Sequence, residues 1–220
     1  MECRKEDKIL RGEIARLLMD DGWAFETAKQ IAMFDIYDQN ASTGWFDSEW
    51  MFGVTDSFDI VIANPPYVFA RESKKKGLSN EDKGYFYKHY DLAEYQMNLY
   101  PLFIEKGTCL LRANGCLCFI TPNNWLTINT NKKLREFVLG QSDITIVNFY
   151  ARVFESAAVD SAIIIFRKSV DNRRVALYEY TNGFGFIKET GCEFFLSQRD
   201  HIINIDDFKR DRVSEVIGMI

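Results

Sequence analysis

The sequence of 220 residues predicts an α/β protein built on part of a doubly wound sheet. Three observations carry that expectation. Short, continuous apolar runs rich in β-branched residues recur at 58–63, 116–121, 144–150 and 161–167, a pattern that suits strands packed inside a sheet. Segments of helical period lie between several of them. Proline, glycine and asparagine punctuate the run ends.

The elements follow in order. Residues 3–33 are expected to be helical, with Leu10, Ile14, Leu17 and Leu18 on one face and charges between them. Gly22 interrupts this run, and Ala28, Ile31 and Ala32 continue an apolar face beyond it. FDIYDQNASTGWFDSEW at 34–50 has turn formers and aromatics without a period and reads as loop. FDIVIA at 58–63 reads as a parallel strand covered on both faces. RESKKKGLSNEDKG, which includes Lys74, Lys75 and Lys76, reads as a solvated mobile loop. A helix is expected over 91–112, started, kinked or divided by Pro101, and a short one over 131–140 closed by Gly140. VALYEY alternates as a strand, and the remainder resembles the start of another unit.

Composition removes several function classes. The net charge of −5 argues against a dedicated nucleic-acid clamp, which needs clustered Lys and Arg. The five cysteines (Cys3, Cys109, Cys116, Cys118 and Cys192) form no CxxC pair, so they read as reduced, mostly buried thiols, and no metal site is expected. No signal peptide opens the chain and no run is long enough to cross a bilayer, so a cytoplasmic location without a membrane partner is expected.

The chemistry concentrates where the first apolar run stops. In FDIVIANPPYV, Pro65 and Pro66 donate no backbone hydrogen bonds and push Asn64 out of helical space. The strand therefore ends abruptly, leaving Asn64 and Tyr67 at its carboxyl end, where open α/β sheets bind ligands. TPNNW after the second strand sits at the same edge. The Asn64 carbonyl and the Pro65 carbonyl are two acceptors that could hold both protons of one NH2 group. They would favour a pyramidal, nucleophilic nitrogen, and Tyr67 offers a flat face for a planar ring. A strand end whose Asn caps a turn and whose Tyr packs is the other reading of the same residues.

FDIVIANPPYV resembles the catalytic motif of S-adenosylmethionine-dependent amino-methyltransferases. The wider pattern resembles the adenine-specific DNA methyltransferases of restriction–modification systems, especially type II enzymes that join methylase and nuclease in one chain. YDQNASTGWFDSEWMFG before the strand, NLYPLFIEKGTCLLRANGCLCFITPNNWL after it, and FYARVFESAAVDSAIIIF later carry the likeness, over roughly residues 34–168. NPPY alone also occurs in methylases of RNA or protein glutamine. A non-catalytic module that pairs with a cofactor-binding partner is a third reading.

The resemblance implies roles. Asn64, Pro65, Pro66 and Tyr67 form the catalytic motif, with Asn64 and the Pro65 carbonyl holding the amino group of an adenine flipped out of double-stranded DNA. Tyr67 stacks on that base, and Phe154 lines its other side. Asp47 is the acid nearest the family's cofactor-contacting position, with Gly44 the alternative in register, and Asn98 matches a helix position lining the cofactor site. For Asn123 and Asn124 the resemblance assigns no role, and simple capping of the strand end is the expectation. The cofactor is S-adenosylmethionine, no metal is involved, and neither His89 nor His201 is required.

The sequence departs from that family in two respects, lacking the acidic residue that should grip the cofactor ribose after a second strand and the loop that precedes the catalytic strand. The family's Gly-rich cofactor loop should precede the catalytic strand, but the residues before Phe58 contain only Gly12, Gly22, Gly44 and Gly53, with no GxG. The expectation is a partial Rossmann-like fold lacking its N-terminal cofactor-binding strands, a fragment inactive in isolation. It divides into a helical segment (1–33), the catalytic half of the methyltransferase domain (34–170) and the beginning of a DNA target-recognition region (171–220). Its expected partners are DNA, the missing cofactor-binding half, and a second copy bound through the exposed sheet edge.

Overall fold

The computed structural model describes residues 2–35, 49, 53–67, 78–94, 98–150 and 160–209. It divides into two compact units, Met1–Thr55 and Asp56–Ile220. In the first, α1 (Glu2–Asp20) and α2 (Phe25–Met33) pack together as a helical pair. Gly22, at φ 92°, makes the left-handed turn between them that a side chain would resist. Arg11 ties the far end by bonding Asp7 at 2.6 Å and the Phe34 carbonyl. Of the expected apolar face, Ile14 and Leu18 are half-buried, but Leu10 and Leu17 are exposed. The buried contribution comes from Ala28, Ile31 and Ala32 of α2.

The second unit is built around one sheet of six strands. They are β1 (Phe58–Ala63), β2 (Leu111–Pro122), β3 (Ser142–Phe149), β4 (Ser161–Arg167), β5 (Arg174–Tyr180) and β6 (Phe184–Gly191). Their spatial order is β1-β2-β4-β3-β5-β6. β1 and β2 are parallel, joined through α3 (Asn80–His89) and α4 (Leu99–Leu110). β4 inserts between β2 and β3 and runs antiparallel to both. α5 (Lys132–Leu139) precedes β3, and α6 (Cys192–Leu196) follows β6.

One face of the sheet is the core. Leu117, Phe119, Ile144, Ile146, Ile164, Phe166, Val175 and Leu177 are buried there against Tyr100 and Ile104 of α4 and Leu134, Val138 and Leu139 of α5. α4 lies so close that a Cβ built on Gly107 would sit 2.9 Å from the Phe119 ring, so this helix position excludes a side chain. Arg135 is fully buried in this layer and spends its guanidinium on carbonyls, donating to Trp125, Ile128 and Asp200. That ties α5 to the turns after β2 and to the returning chain after α6.

Four expectations change. The segment read as mobile loop ends inside α3, whose start is fixed by a capping box: Ser79 Oγ accepts from the Asp82 N–H while the Asp82 carboxylate accepts from the Ser79 N–H. The helix expected over 91–112 begins only at Leu99, because Pro101 fits the first turn, where its missing N–H costs nothing. β5 and β6, placed in the region after residue 170, join the same sheet, with β5 parallel to β3. Cys109 is exposed rather than buried, while Cys116 and Cys118 are half-buried and Cys192 is buried, all free thiols.

The expectation that β1 is covered on both faces also fails. Val61 and Ala63 pack on the core, but Ile60 is 60% and Ile62 73% exposed. β1 pairs with β2 on one side, and among the described residues no strand pairs with its other edge. A parallel strand with an open apolar face is a template for association. Concentration-dependent self-association is therefore expected in sedimentation velocity. The Ile60→Thr, Ile62→Thr double variant should reduce it while leaving the circular dichroism spectrum unchanged. A wild-type chain that stays monomeric at all concentrations would contradict this.

Candidate active site

The site is organised by the carboxyl ends of β1 and β2, which point the same way because the strands are parallel. At the end of β1, Asn64 and Pro66 are exposed, Pro65 is buried and Tyr67 is half-buried. The buried proline seats the corner and the amide of Asn64 stands in solvent. Tyr67 does not simply pack: its hydroxyl donates to the Ile120 carbonyl of β2 at 3.2 Å. Burial raises its pKa, and a hydrogen bond with the Ser161 side chain works in the opposite direction. The phenol is thus pinned across two strands, since Ile120 pairs with Ile163 and Ser161 with Pro122.

A second polar group lies where β2 ends. Asn123 and Asn124, expected as strand caps, bond elsewhere. Asn123 Nδ2 donates to Asn148 Oδ1 on β3 at 2.9 Å, and Tyr100 Oη donates to Asn124 Oδ1 at 3.2 Å. The Trp125 indole N–H reaches Thr121 Oγ1 at 3.1 Å, so the turn after Pro122 is held from three elements. Further along this edge, Tyr150 donates to Asp206 at 2.6 Å, and Lys209 lies 3.6 Å from the Tyr150 ring centroid and 2.6 Å from Glu179.

Asn98 is the N-cap of α4. Its Oδ1 accepts from the Tyr100 N–H at 3.5 Å, and the residue is 6% exposed. Its Nδ2 is buried and has no hydrogen-bond partner among the described residues. Asp47, Gly44 and Phe154 lie outside the described residues, as do Lys74, Lys75 and Lys76. The structure therefore brings Asn64, Pro65, Pro66, Tyr67 and Asn98 to one edge of the sheet. Among the described residues no group of three or more His, Cys, Asp and Glu is placed to hold a metal. His89 is exposed and stacks on Tyr85, with ring centroids 4.1 Å apart. Sequence reasoning missed Tyr100, Asn148 and Ser161, whose partners are distant in sequence and are brought close by the packing of α4 and by strand pairing.

The buried phenol of Tyr100 gives a test of this edge. Burial pushes its pKa well above the ordinary value, against a smaller lowering by Arg135. The stability gained by keeping it protonated is fully present below about pH 10, the ordinary tyrosine value. It is lost as the pH rises towards the raised folded value. Tyr100→Phe cannot ionise, so its base-induced unfolding midpoint, followed by circular dichroism, is expected to lie above that of the wild type. An unchanged or lower midpoint would contradict the assignment.

With this geometry established, comparison with known proteins identifies the chain. Residues 4–154 match the Eco57I restriction-modification methylase family. The chain is 35% identical over 115 residues to the type II methyltransferase M.TthHB8I of Thermus thermophilus, covering 51% of this chain and 27% of that protein. It is 31% identical over 81 residues to the type II restriction enzyme and methyltransferase RM.Eco57I of Escherichia coli, covering 37% of this chain and 8% of that protein. The match thus spans only about a quarter of the first relative and under a tenth of the second. The fold is similar to that of the type I restriction-modification system methyltransferase subunit from Streptococcus thermophilus, with a TM-score of 0.53 and 19% identity, covering 82% of this chain and 44% of that one. On the family match, which covers more than half of its residues, this chain belongs to the Eco57I restriction-modification methylases.

Proposed function

We propose that this chain supplies the base-holding side of a DNA methyltransferase that acts on the exocyclic amino group of adenine. The observation that carries the reading is the corner at the end of β1: an exposed Asn64 amide, a buried Pro65, and a Tyr67 pinned by its hydroxyl to Ile120. The Asn64 Oδ1 and the Pro65 carbonyl accept one hydrogen bond each from the amino group. Held so, the nitrogen loses conjugation with its ring and presents its lone pair, and the two acceptors stabilise the positive charge that develops on it. Pinning the phenol fixes the stacking ring before the base arrives, so less order is lost on binding. The adenine must leave the duplex to reach this edge.

S-adenosylmethionine, when bound, supplies the methyl group. Asn98, at the same edge, is the described residue that fits a role in holding it, and Asp47 is the second candidate from the sequence. The open edge and the exposed Ile60 and Ile62 support a sheet completed beyond β1 by a cofactor-binding segment.

The test is a titration of the 15N-labelled chain with 2′-deoxyadenosine and with the purine deoxyriboside that lacks the amino group. The Asn64 side-chain amide and the resonances around Tyr67 are expected to move with the first and at least fivefold less with the second. Asn64→Ala should remove the difference. Equal response to both nucleosides, or a response only to a glutamine-containing peptide, would overturn the reading.

A further inference from the structure

At the β5–β6 end of the sheet, α6 and residues 198–208 line a cleft of about 330 Å³, a size that suits ligand binding. Its floor is aromatic. Phe195 is buried and Phe194 is 45% exposed, and the Phe208 ring centroid lies 5.6 Å from Phe194 and 5.9 Å from Phe195. The rim is polar and unused. Gln198, Arg199, Asn204 and Asp207 line the same cleft. Their side chains make no hydrogen bond to another described residue, and their one ion pair joins Arg199 to its neighbour Asp200 at 3.6 Å. The turn between the two walls is held in a strained form. Asp200 and His201 take left-handed φ angles of 55° and 57°, which residues other than glycine avoid. Arg135 fixes that turn by donating to the Asp200 carbonyl at 2.9 and 3.1 Å. The walls are therefore set before anything binds.

The chemistry of the rim selects the ligand. The amide of an asparagine or glutamine offers an acceptor and a donor side by side, which matches the N–H and C=O of a peptide unit. Arg199 only donates and Asp207 only accepts, so together they add no net charge. Such a set suits a neutral chain that carries donors and acceptors in alternation, and the rings beneath suit one large apolar side chain. A nucleic-acid strand fits poorly, because phosphates need clustered cations. From Cys192 to Lys209 the acids Glu193, Asp200, Asp206 and Asp207 outnumber Arg199 and Lys209, and Lys209 is already held by Glu179 at 2.6 Å. The cleft is also remote from the Asn64–Tyr67 corner, since the four strand spacings from β1 to β5 amount to about 19 Å.

We infer that this cleft is a docking site for an extended peptide segment of a partner protein. The segment places one large apolar side chain on the Phe194–Phe208 floor and bonds its backbone to Asn204 and Gln198. A basic residue beside that anchor meets the surrounding acids. This contact is independent of the base and the cofactor held at the other end of the sheet.

The test selects binders of the full chain from a display library of short random peptides. Enriched sequences are expected to share an aromatic or leucine anchor with a lysine or arginine close by. The tightest of them, made synthetically, should move the Asn204 and Gln198 side-chain amides of the 15N-labelled chain and leave the Asn64 amide in place. Phe194→Ser changes a half-exposed ring, so the circular dichroism spectrum should stay that of the wild type while peptide affinity falls roughly tenfold. Asn204→Ala, on the rim, should lower affinity by roughly threefold. If one variant loses the wild-type spectrum, the other decides. No enrichment, or peptides whose affinity is unchanged in the folded variants, would overturn the proposal. A single-stranded oligonucleotide that moves the same amides at lower concentration than the peptide would overturn it too, assigning the cleft to nucleic acid.

Discussion

Two consecutive residues that cannot donate to a β-ladder set the position of the candidate site in this chain. Pro65 and Pro66 stop β1 at Ala63, and the parallel pairing of β1 with β2 places that stop at the carboxyl edge of the sheet. Because Pro65 is buried and Asn64 is not, the chain turns with its amide outward. Tyr67 then reaches Ile120 and fixes the corner against β2. The crossover that makes the pairing parallel also brings the amino end of α4, with Asn98, to the same edge. A strand continuing through these positions would have left a sheet edge with no site.

The layer beneath is held by an uncommon arrangement. A buried guanidinium with no carboxylate at bonding distance among the described residues is costly unless its N–H groups are satisfied, and Arg135 satisfies them on three carbonyls. Those carbonyls belong to the turns after β2 and to the chain returning after α6, segments without long helices or strands of their own. The charge therefore sets the geometry of the turn that carries Asn123 and Asn124. Removing it would leave buried carbonyls unpaired where the site needs rigidity, whereas a core leucine there would hold none of these turns.

Much of the fold was legible because β-branched runs and their terminators are local signals. FDIVIA, CLCFIT and SAIIIF each mark a strand, and NPPY marks the candidate site by backbone chemistry alone. Other features depend on partners distant in sequence. β4 lies between β2 and β3 and runs antiparallel to both, which no residue in SAIIIFR announces. Asn123 looks like a strand cap until Asn148 is seen across the pairing. The capping box of Ser79 and Asp82 was readable, but the three lysines before it drew that stretch towards loop. The exposure of Ile60 and Ile62 is the opposite case: the sequence reads as a strand buried on both sides, and the unit covers only one.

The central claim is that the corner at the end of β1 recognises an adenine by its amino group once the base is out of the helix. The most direct measurement is the affinity of the chain for a DNA duplex with one unpaired adenine, against the same duplex with unpaired purine lacking that group. The account expects the adenine duplex to bind at least fivefold more tightly, with the preference lost in Asn64→Ala. Equal affinity for the two duplexes, with Asn64→Ala indistinguishable from wild type, would contradict it.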